Sequence, residues 1–366
     1  MGTLQFWFGI PATLIVLFAI WKDLPHIPAI NNTPKLQTDW RHWVNPGMTF
    51  LIVLVWVGLS GSGGYGFQNG DYLKHNAVLH DLIVNSWPVR YAPSPTHPGH
   101  SSILVYYVAY YLPAAVAGKI WGWVGANRFL FLWTLLGVWL AVRWFQELTD
   151  RRSFWMALIF VLAGGLDFLG NYALTSRFFQ IGEHAEWWAA FAQYSSNSAA
   201  LYWVPHQTIA AWLLTGLLLY RWRHRPLATG SIFLLALGCL WAPFVCIGLA
   251  PFVLALAIRK KWRGLNSFQD LIAAPVIVLV VFFYIHATDY SIPHMWAWQM
   301  FPWASHWRNY CWFYVLEFMV YVIFLTRERL TRDDLDPWIW RVTLAVLIVL
   351  PLYRTGRSNL SSAFSR

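Results

Sequence analysis

The chain has 366 residues, of which 58% are hydrophobic, 19% aromatic and only 11% charged, with a formal net charge of +10. Soluble domains carry roughly 25% charged residues, so these proportions exclude an ordinary water-soluble globule and, equally, a disordered chain. Three cysteines, Cys239, Cys246 and Cys311, all lie in apolar runs, which excludes a disulfide-stapled secreted fold. The basic residues are scattered between apolar segments rather than gathered on one face. That distribution argues against a nucleic-acid partner and for topology signals.

A helical span takes about 20 mostly apolar residues. Eleven runs approach this in chain order: 3–21, 48–59, 101–117, 129–142, 154–170, 205–220, 227–241, 244–258, 271–285, 310–325 and 338–353. Trp and Tyr flank several of them, as amphipathic rings do at the headgroup level. No Lys or Arg precedes the first run, so it reads as an uncleaved helix rather than a signal peptide.

Cytoplasmic loops collect Lys and Arg. Five connectors hold 17 of the 26 basic residues: Lys22/Lys35/Arg41, Arg143/Arg151/Arg152, Arg221/Arg223/Arg225, Arg259/Lys260/Lys261/Arg263 and Arg327/Arg329/Arg332/Arg341. All five share a side only if one run between 48 and 143 fails to cross. The run 101–117 is the candidate, being dense in tyrosine and preceded by a Pro/His-rich stretch, as suits an interfacial helix. The expectation is an all-α polytopic membrane protein with about ten transmembrane helices and external juxtamembrane helices, forming a single integral-membrane domain over 1–366. Within it, 1–47 supplies an extra N-terminal helix and a cytoplasmic loop. Three long external segments follow at 60–128, 171–204 and 287–309.

The external side holds nine of the twelve histidines, seven in these segments and His206 and His286 at membrane edges, and loops of such length tend to be functional or disordered. The first opens Gly64-Tyr65-Gly66-Phe67-Gln68-Asn69-Gly70-Asp71-Tyr72-Leu73-Lys74-His75. Glycines turn the chain sharply here. Asp71 either caps a helix over 72–85 or offers a carboxylate at the apolar boundary that takes a proton from an acceptor hydroxyl. That helix reads as amphipathic, with Leu73, Ala77, Leu82 and Val84 opposed to Lys74, His75, His80 and Asp81. In the second segment, Glu183, His184 and Glu186 stand beside Trp187-Trp188. Carboxylates with flat aromatic faces suit sugars, which carry hydroxyls on the rim and C–H bonds on the face; the same residues also make an ordinary interfacial belt. Pro205 opens a helix and leaves His206 and Gln207 facing outward at membrane depth. His97 and His100 flank Pro98-Gly99 in a loop. No H-E-x-x-H, paired C-x-x-C, EF-hand or G-x-x-x-x-G-K-[ST] is present, so no cofactor is specified; a divalent cation held by separate loops is compatible with the pattern. Glu317 lies mid-helix, in a membrane either a functional position by default or a protonated group hydrogen-bonded to a neighbouring helix, and the structural reading stands ahead.

One helix followed by a large external loop that opens on an acid just past the bilayer resembles the GT-C superfamily of integral-membrane glycosyltransferases. The stretch Pro95-Thr96-His97-Pro98-Gly99-His100, followed by Tyr106-Tyr107 and Tyr110-Tyr111, is similar to the proline-plus-tyrosine element of the branch that includes protein O-mannosyltransferases and the lipid A aminoarabinose transferase. There the element begins a juxtamembrane helix. Asn127-Arg128 and Arg151-Arg152 are similar in placement to that branch. The resemblance runs from about residue 48 to 220. It departs in having a single Asp71 where adjacent acids are common, in reading His-Pro-Gly rather than a double proline, and in a C-terminus shorter than is usual for the family.

The resemblance implies an enzyme of the plasma (inner) membrane that moves a sugar from a polyprenyl-phosphate carrier to a glycan, lipid or protein acceptor on the non-cytoplasmic face. Asp71 is then catalytic. Lys74, Arg128 or Arg177 offsets charge on the departing phosphate, and His75, His97, Glu183, His184, Glu186, His206 and Gln207 complete the binding surface. Two other readings stay open: a transporter or lipid flippase with Glu317 and His206 in the path, and a non-catalytic assembly subunit.

Overall fold

The computed structural model describes residues 2–23, 41–92, 102–176, 186–224, 227–287, 294–319 and 336–355, together with Val322, Ile323 and Thr326. The described chain is all-α apart from two short antiparallel pairs: β1 (Arg90–Tyr91) with β2 (Ser102–Ile103), and β3 (His294–Trp296) with β4 (Tyr353–Thr355). It divides into two compact units. Unit 1 is Met1–Val161 with Ala200–Asp289, and unit 2 is Leu162–Ala199 with Tyr290–Arg366.

Most apolar runs of the sequence lie on helix where they are described, although several helices are interrupted; the run 101–117 instead begins with strand β2 and irregular chain and turns α-helical only at Leu112. In unit 1 the helices are α1 (Gly2–Asp23), α2 (Arg41–Leu59), α3 (Asp71–Val84), α4 (Leu112–Leu148), α5 (Phe154–Leu162, which ends at the unit boundary) and α7 (Asn197–Trp203, which begins in unit 2 and enters unit 1 at Ala200). They continue with α8 (Pro205–His224), α9 (Ser231–Cys239), α10 (Pro243–Arg259) and α11 (Ala274–Ile285), the last preceded by a π-turn at Gln269–Ala273. Unit 2 holds α6 (Asp167–Thr175), α12 (Ala297–Met300), α13 (Trp303–Phe313) running into a π-helical stretch Tyr314–Met319, and α14 (Pro337–Val349).

Two stretches, Leu112–Leu148 and Phe154–Leu174, are long and apolar enough to cross a membrane. Neither is an unbroken helix. Gly122 sits at φ 68°, ψ −168° inside α4 and divides it into two helical segments. The second stretch loses its helix between α5 and α6, at Ala163-Gly164-Gly165. Glycine adopts such backbone states at little steric cost.

The larger core of unit 1 packs α2, α3, α4, α5 and α8 around Val53, Trp56, Leu79, Tyr110, Tyr111, Val138 and Ile209. A second core joins α1, α9 and α11 through Ala19, Phe233, Ala274 and Ile277. Unit 2 has its own, built on Trp188, Phe191, Tyr310 and Phe313. Other helix faces stay uncovered. Leu51, Val55 and Leu59 on α2, and Leu132, Leu136 and Leu140 on α4, form exposed stripes at helical spacing.

The amphipathic reading of α3 is corrected by the structure. Its buried face is Tyr72, His75, Val78, Leu79 and Leu82, while Leu73 is 81% exposed and Val84 60%. Both stripes have helical period. The one carrying Tyr72 and His75 faces inward because its polar atoms find partners there: Tyr72 Oη donates to the Ser60 carbonyl at 2.6 Å, and both His75 nitrogens are engaged.

Candidate functional site

The turn between α2 and α3 sets up the site. Gly61, Gly63, Gly64 and Gly66 all have positive φ. At Gly66 a Cβ would lie 2.6 Å from the Gly58 carbonyl, so the close return of the loop onto the end of α2 requires glycine. Asn69 then starts α3. Its carboxamide oxygen accepts from the Asp71 backbone N–H at 3.0 Å, and its Nδ2 donates to the Tyr202 carbonyl at the end of α7 at 2.7 Å. The capping work that the sequence offered to Asp71 is therefore done by Asn69.

Asp71 is left with its carboxylate 37% exposed, 3.6 Å from the Lys74 ammonium one turn along the helix. Lys74 Nζ in turn lies 5.9 Å from the centre of the Tyr106 ring. On the inner side, His75 is buried. Its Nε2 lies 3.0 Å from the Trp203 carbonyl, which can only accept, so that nitrogen carries the proton. Nδ1 is then the acceptor for the Tyr111 hydroxyl at 2.6 Å. Burial pushes His75 below the ordinary histidine value, and the neighbouring Lys74 adds to this. Burial likewise raises Tyr111 well above the ordinary phenol value, so it stays a donor.

His206, first-turn residue of α8, is fully buried rather than outward-facing. Its ring stacks on Tyr107 at 4.8 Å and meets His75 edge-on at 5.1 Å, with Tyr106, Tyr110 and Tyr111 around it. The amide nitrogen of half-buried Gln207 is 3.4 Å from its Nε2, while its Nδ1 has no hydrogen-bond partner among the described residues. Tyr284 Oη donates to the carbonyls of Leu104 and Tyr106 and holds the tyrosine segment in place. Asp71, Lys74, His75, His206 and Gln207 thus belong to one neighbourhood, walled by Tyr106, Tyr107 and Tyr111.

Arg128 does not join that group. It lines a separate hollow whose wall includes none of Asp71, Lys74, His75 or His206. Glu186 belongs to unit 2, where its Oε1 accepts from the Ser196 backbone N–H at 2.9 Å and from Ser196 Oγ at 2.7 Å. His97, Arg177, Glu183 and His184 lie outside the described residues.

Unit 2 gathers a second set of charged groups. Asp167, Glu186 and Glu317 are buried and near enough to repel one another. Asp167 Oδ1 accepts from Trp188 Nε1 at 3.2 Å. Glu186 Oε2 and both oxygens of Glu317 are buried without a hydrogen-bond partner among the described residues. Gly165 makes room for them, since any side chain there would collide with the Glu317 carboxylate. The sequence picks out Glu317 and Glu186 separately; their association with each other and with Asp167, across about 130 and 150 residues, has no local signature. Among the described residues no group of three or more His, Cys, Asp and Glu side chains is arranged to hold a metal ion.

No family model matches the chain, and no curated protein or solved structure matches it either.

Proposed function

We propose that the chain is a polytopic membrane glycosyltransferase of GT-C type, which moves a sugar from a polyprenyl-phosphate carrier to an acceptor on the non-cytoplasmic face. The bilayer setting is supported by the two membrane-length stretches and the exposed apolar stripes of α2 and α4, of a kind that soluble surfaces seldom present. The observation that carries the reaction is the state of Asp71. Because Asn69 caps α3, the Asp71 carboxylate is free to work, and Lys74 stands beside it.

In the proposed step Asp71 takes the proton of an acceptor hydroxyl as its oxygen bonds to the anomeric carbon. The bond from that carbon to the carrier phosphate breaks, and the polyprenyl phosphate leaves with the electron pair. Lys74 offsets the charge that develops on it. His75, Tyr111 and His206 transfer no proton in this scheme; they hold the wall on which Lys74 and Tyr106 rest.

The test is release of polyprenyl phosphate from a labelled lipid-linked sugar by the purified full chain. Asp71→Asn is expected to lower transfer by about 10²–10⁴-fold, the usual contribution of a positioned base. Its melting temperature should not move, because Asp71 is half-exposed and caps nothing. An Asp71→Asn chain with full transfer activity removes the assignment.

A second reading, a transporter, is favoured by one observation in unit 2: a buried Glu317 set beside two other acids, Asp167 and Glu186. Such a group suits a passing proton or cation.

A further inference from the structure

The hollow that contains Arg128 has a volume of about 380 Å³, within the range of small-molecule sites. It lies between the glycine turn, α3 and the second half of α4. The break at Gly122 starts a new helical segment whose first two turns supply Trp123, Val124, Asn127 and Arg128. Gly63, Gly64, Tyr65 and Gln68 come from the turn, and Asn76 from α3.

The chemistry of this lining is selective. Tyr65 and Trp123 are 45% and 41% exposed, so flat aromatic surface is open to a ligand. Three neutral amides border it, already oriented by the fold. Gln68 Nε2 donates to the Gly61 carbonyl at 2.9 Å, and Asn76 Nδ2 donates to Gln68 Oε1 at 3.0 Å. Asn127 Nδ2 donates to the Trp123 carbonyl at 3.0 Å. Each bond fixes one end of an amide, leaving Asn76 Oδ1 and Asn127 Oδ1 as acceptors and a second N–H on Gln68 as a donor. Arg128 is the one charged residue of the lining, and no acid among the described residues pairs with it.

We propose that this hollow binds a pyranose sugar bearing an acidic substituent, a carboxylate or a phosphate. Sugar C–H bonds present a positive edge to the negative face of an aromatic ring. The fixed amides meet hydroxyls as paired donors and acceptors. The guanidinium takes the anionic substituent through two parallel N–H···O bonds. The site does not depend on Asp71 and stands whether or not the chain transfers sugar.

The experiment is equilibrium binding to the full chain in phosphatidylcholine nanodiscs, which avoids glycoside detergents. The probes are methyl glucuronide, glucose 6-phosphate, methyl glucoside and cyclohexanecarboxylate, read by saturation-transfer NMR and calorimetry. Both acidic sugars should bind about tenfold tighter than methyl glucoside, the worth of one charge-assisted contact. Arg128→Gln, a change at an exposed position, should erase that preference while keeping the neutral sugar. Trp123→Ala should weaken all three sugars by about fivefold, the scale of one lost aromatic contact. Three results would overturn the proposal: no sugar binding, equal binding of acidic and neutral sugars, or cyclohexanecarboxylate binding as well as the glucuronide. Unchanged binding in both variants would place the sugar elsewhere and likewise overturn it. Binding that survives Asp71→Asn, which is expected, separates this outcome from the fate of the transferase reading.

Discussion

Asp270 in unit 1 and Glu317 in unit 2 are both buried carboxylates on π-helical turns, yet their surroundings are opposite. Asp270 accepts from the backbone N–H groups of Gly230, Ile232 and Phe233 at 2.6, 2.9 and 3.1 Å and from Ser267 Oγ at 2.7 Å. It closes the N-terminus of α9, where the free N–H groups and the helix dipole both favour a negative charge. Glu317 has no backbone N–H or hydroxyl donor among the described residues; what lies against it is the Asp167 carboxyl and the Trp188 indole, with Glu186 nearby. A buried charge with every lone pair used is architecture. One with none used destabilises the fold around it, and its retention calls for a ligand, a proton or a task.

That contrast is broken most sharply by removing Asp270. Asp270→Ala leaves four donors without an acceptor, three of them backbone, at about 1–3 kcal/mol for each buried unsatisfied group. Allowing for partial rescue by water, the loss should be about 3 kcal/mol or more. Chemical denaturation of the full chain in micelles measures it. A loss below 1 kcal/mol, on the order of a surface substitution, would mean that the α9 terminus finds other partners.

The Tyr111–His75 pair gives the next largest effect. Tyr111→Phe keeps the ring and deletes the donor, so His75 Nδ1 becomes a buried acceptor with no hydrogen; a cost of about 1–2 kcal/mol is expected. A pH dependence accompanies it. Burial holds His75 neutral in the folded chain, below the ordinary value of 6.5, while the unfolded chain takes up the proton at that value. The unfolded state therefore binds more protons in this window, and stability should fall as pH drops below about 6.5. His75→Gln should lose less stability than the native chain between pH 8 and pH 5. Parallel melting curves for the two would show that another group carries the acid sensitivity.

Much of this architecture was open to reading in the sequence, and what was hidden is instructive. The apolar runs gave the helices because composition and period 3.6 are local properties. The inward face of α3 is not evident from hydrophobicity, because Leu73 and Val84 outrank Tyr72 and His75 on any such scale. The fold instead buries the side chains whose polar atoms it can satisfy. Asp71 could be placed at the start of α3, but its freedom depends on Asn69 taking the cap, and either residue is a good capper. Asp270 was passed over because it borders an apolar run, and its partners lie some forty residues away. The sugar-like hollow was visible only as Arg128: its amides come from three separated segments, and the Gly122 break that brings one of them in has no signal beyond a glycine between two tryptophans.

The smallest expected effect is the most discriminating. Glu317→Gln keeps the shape that Gly165 accommodates, takes one ionisable carboxyl out of a group of three, and adds an N–H able to donate to Asp167 or Glu186. Stability should be unchanged or higher by about 1 kcal/mol, the reverse of Asp270→Ala, because an amide in place of one of three crowded acids relieves a penalty and removes no donor-filled acceptor. The same variant decides between the two readings of the chain. If unit 2 conducts a proton or cation, counterflow in liposomes will stop in a protein that is no less stable than the native one. If the chain is a transferase, release of polyprenyl phosphate will continue at the native rate while Asp71→Asn abolishes it. A destabilisation comparable to that of Asp270→Ala would show that Glu317 is held by partners after all, and the contrast between the two carboxylates would fail with it.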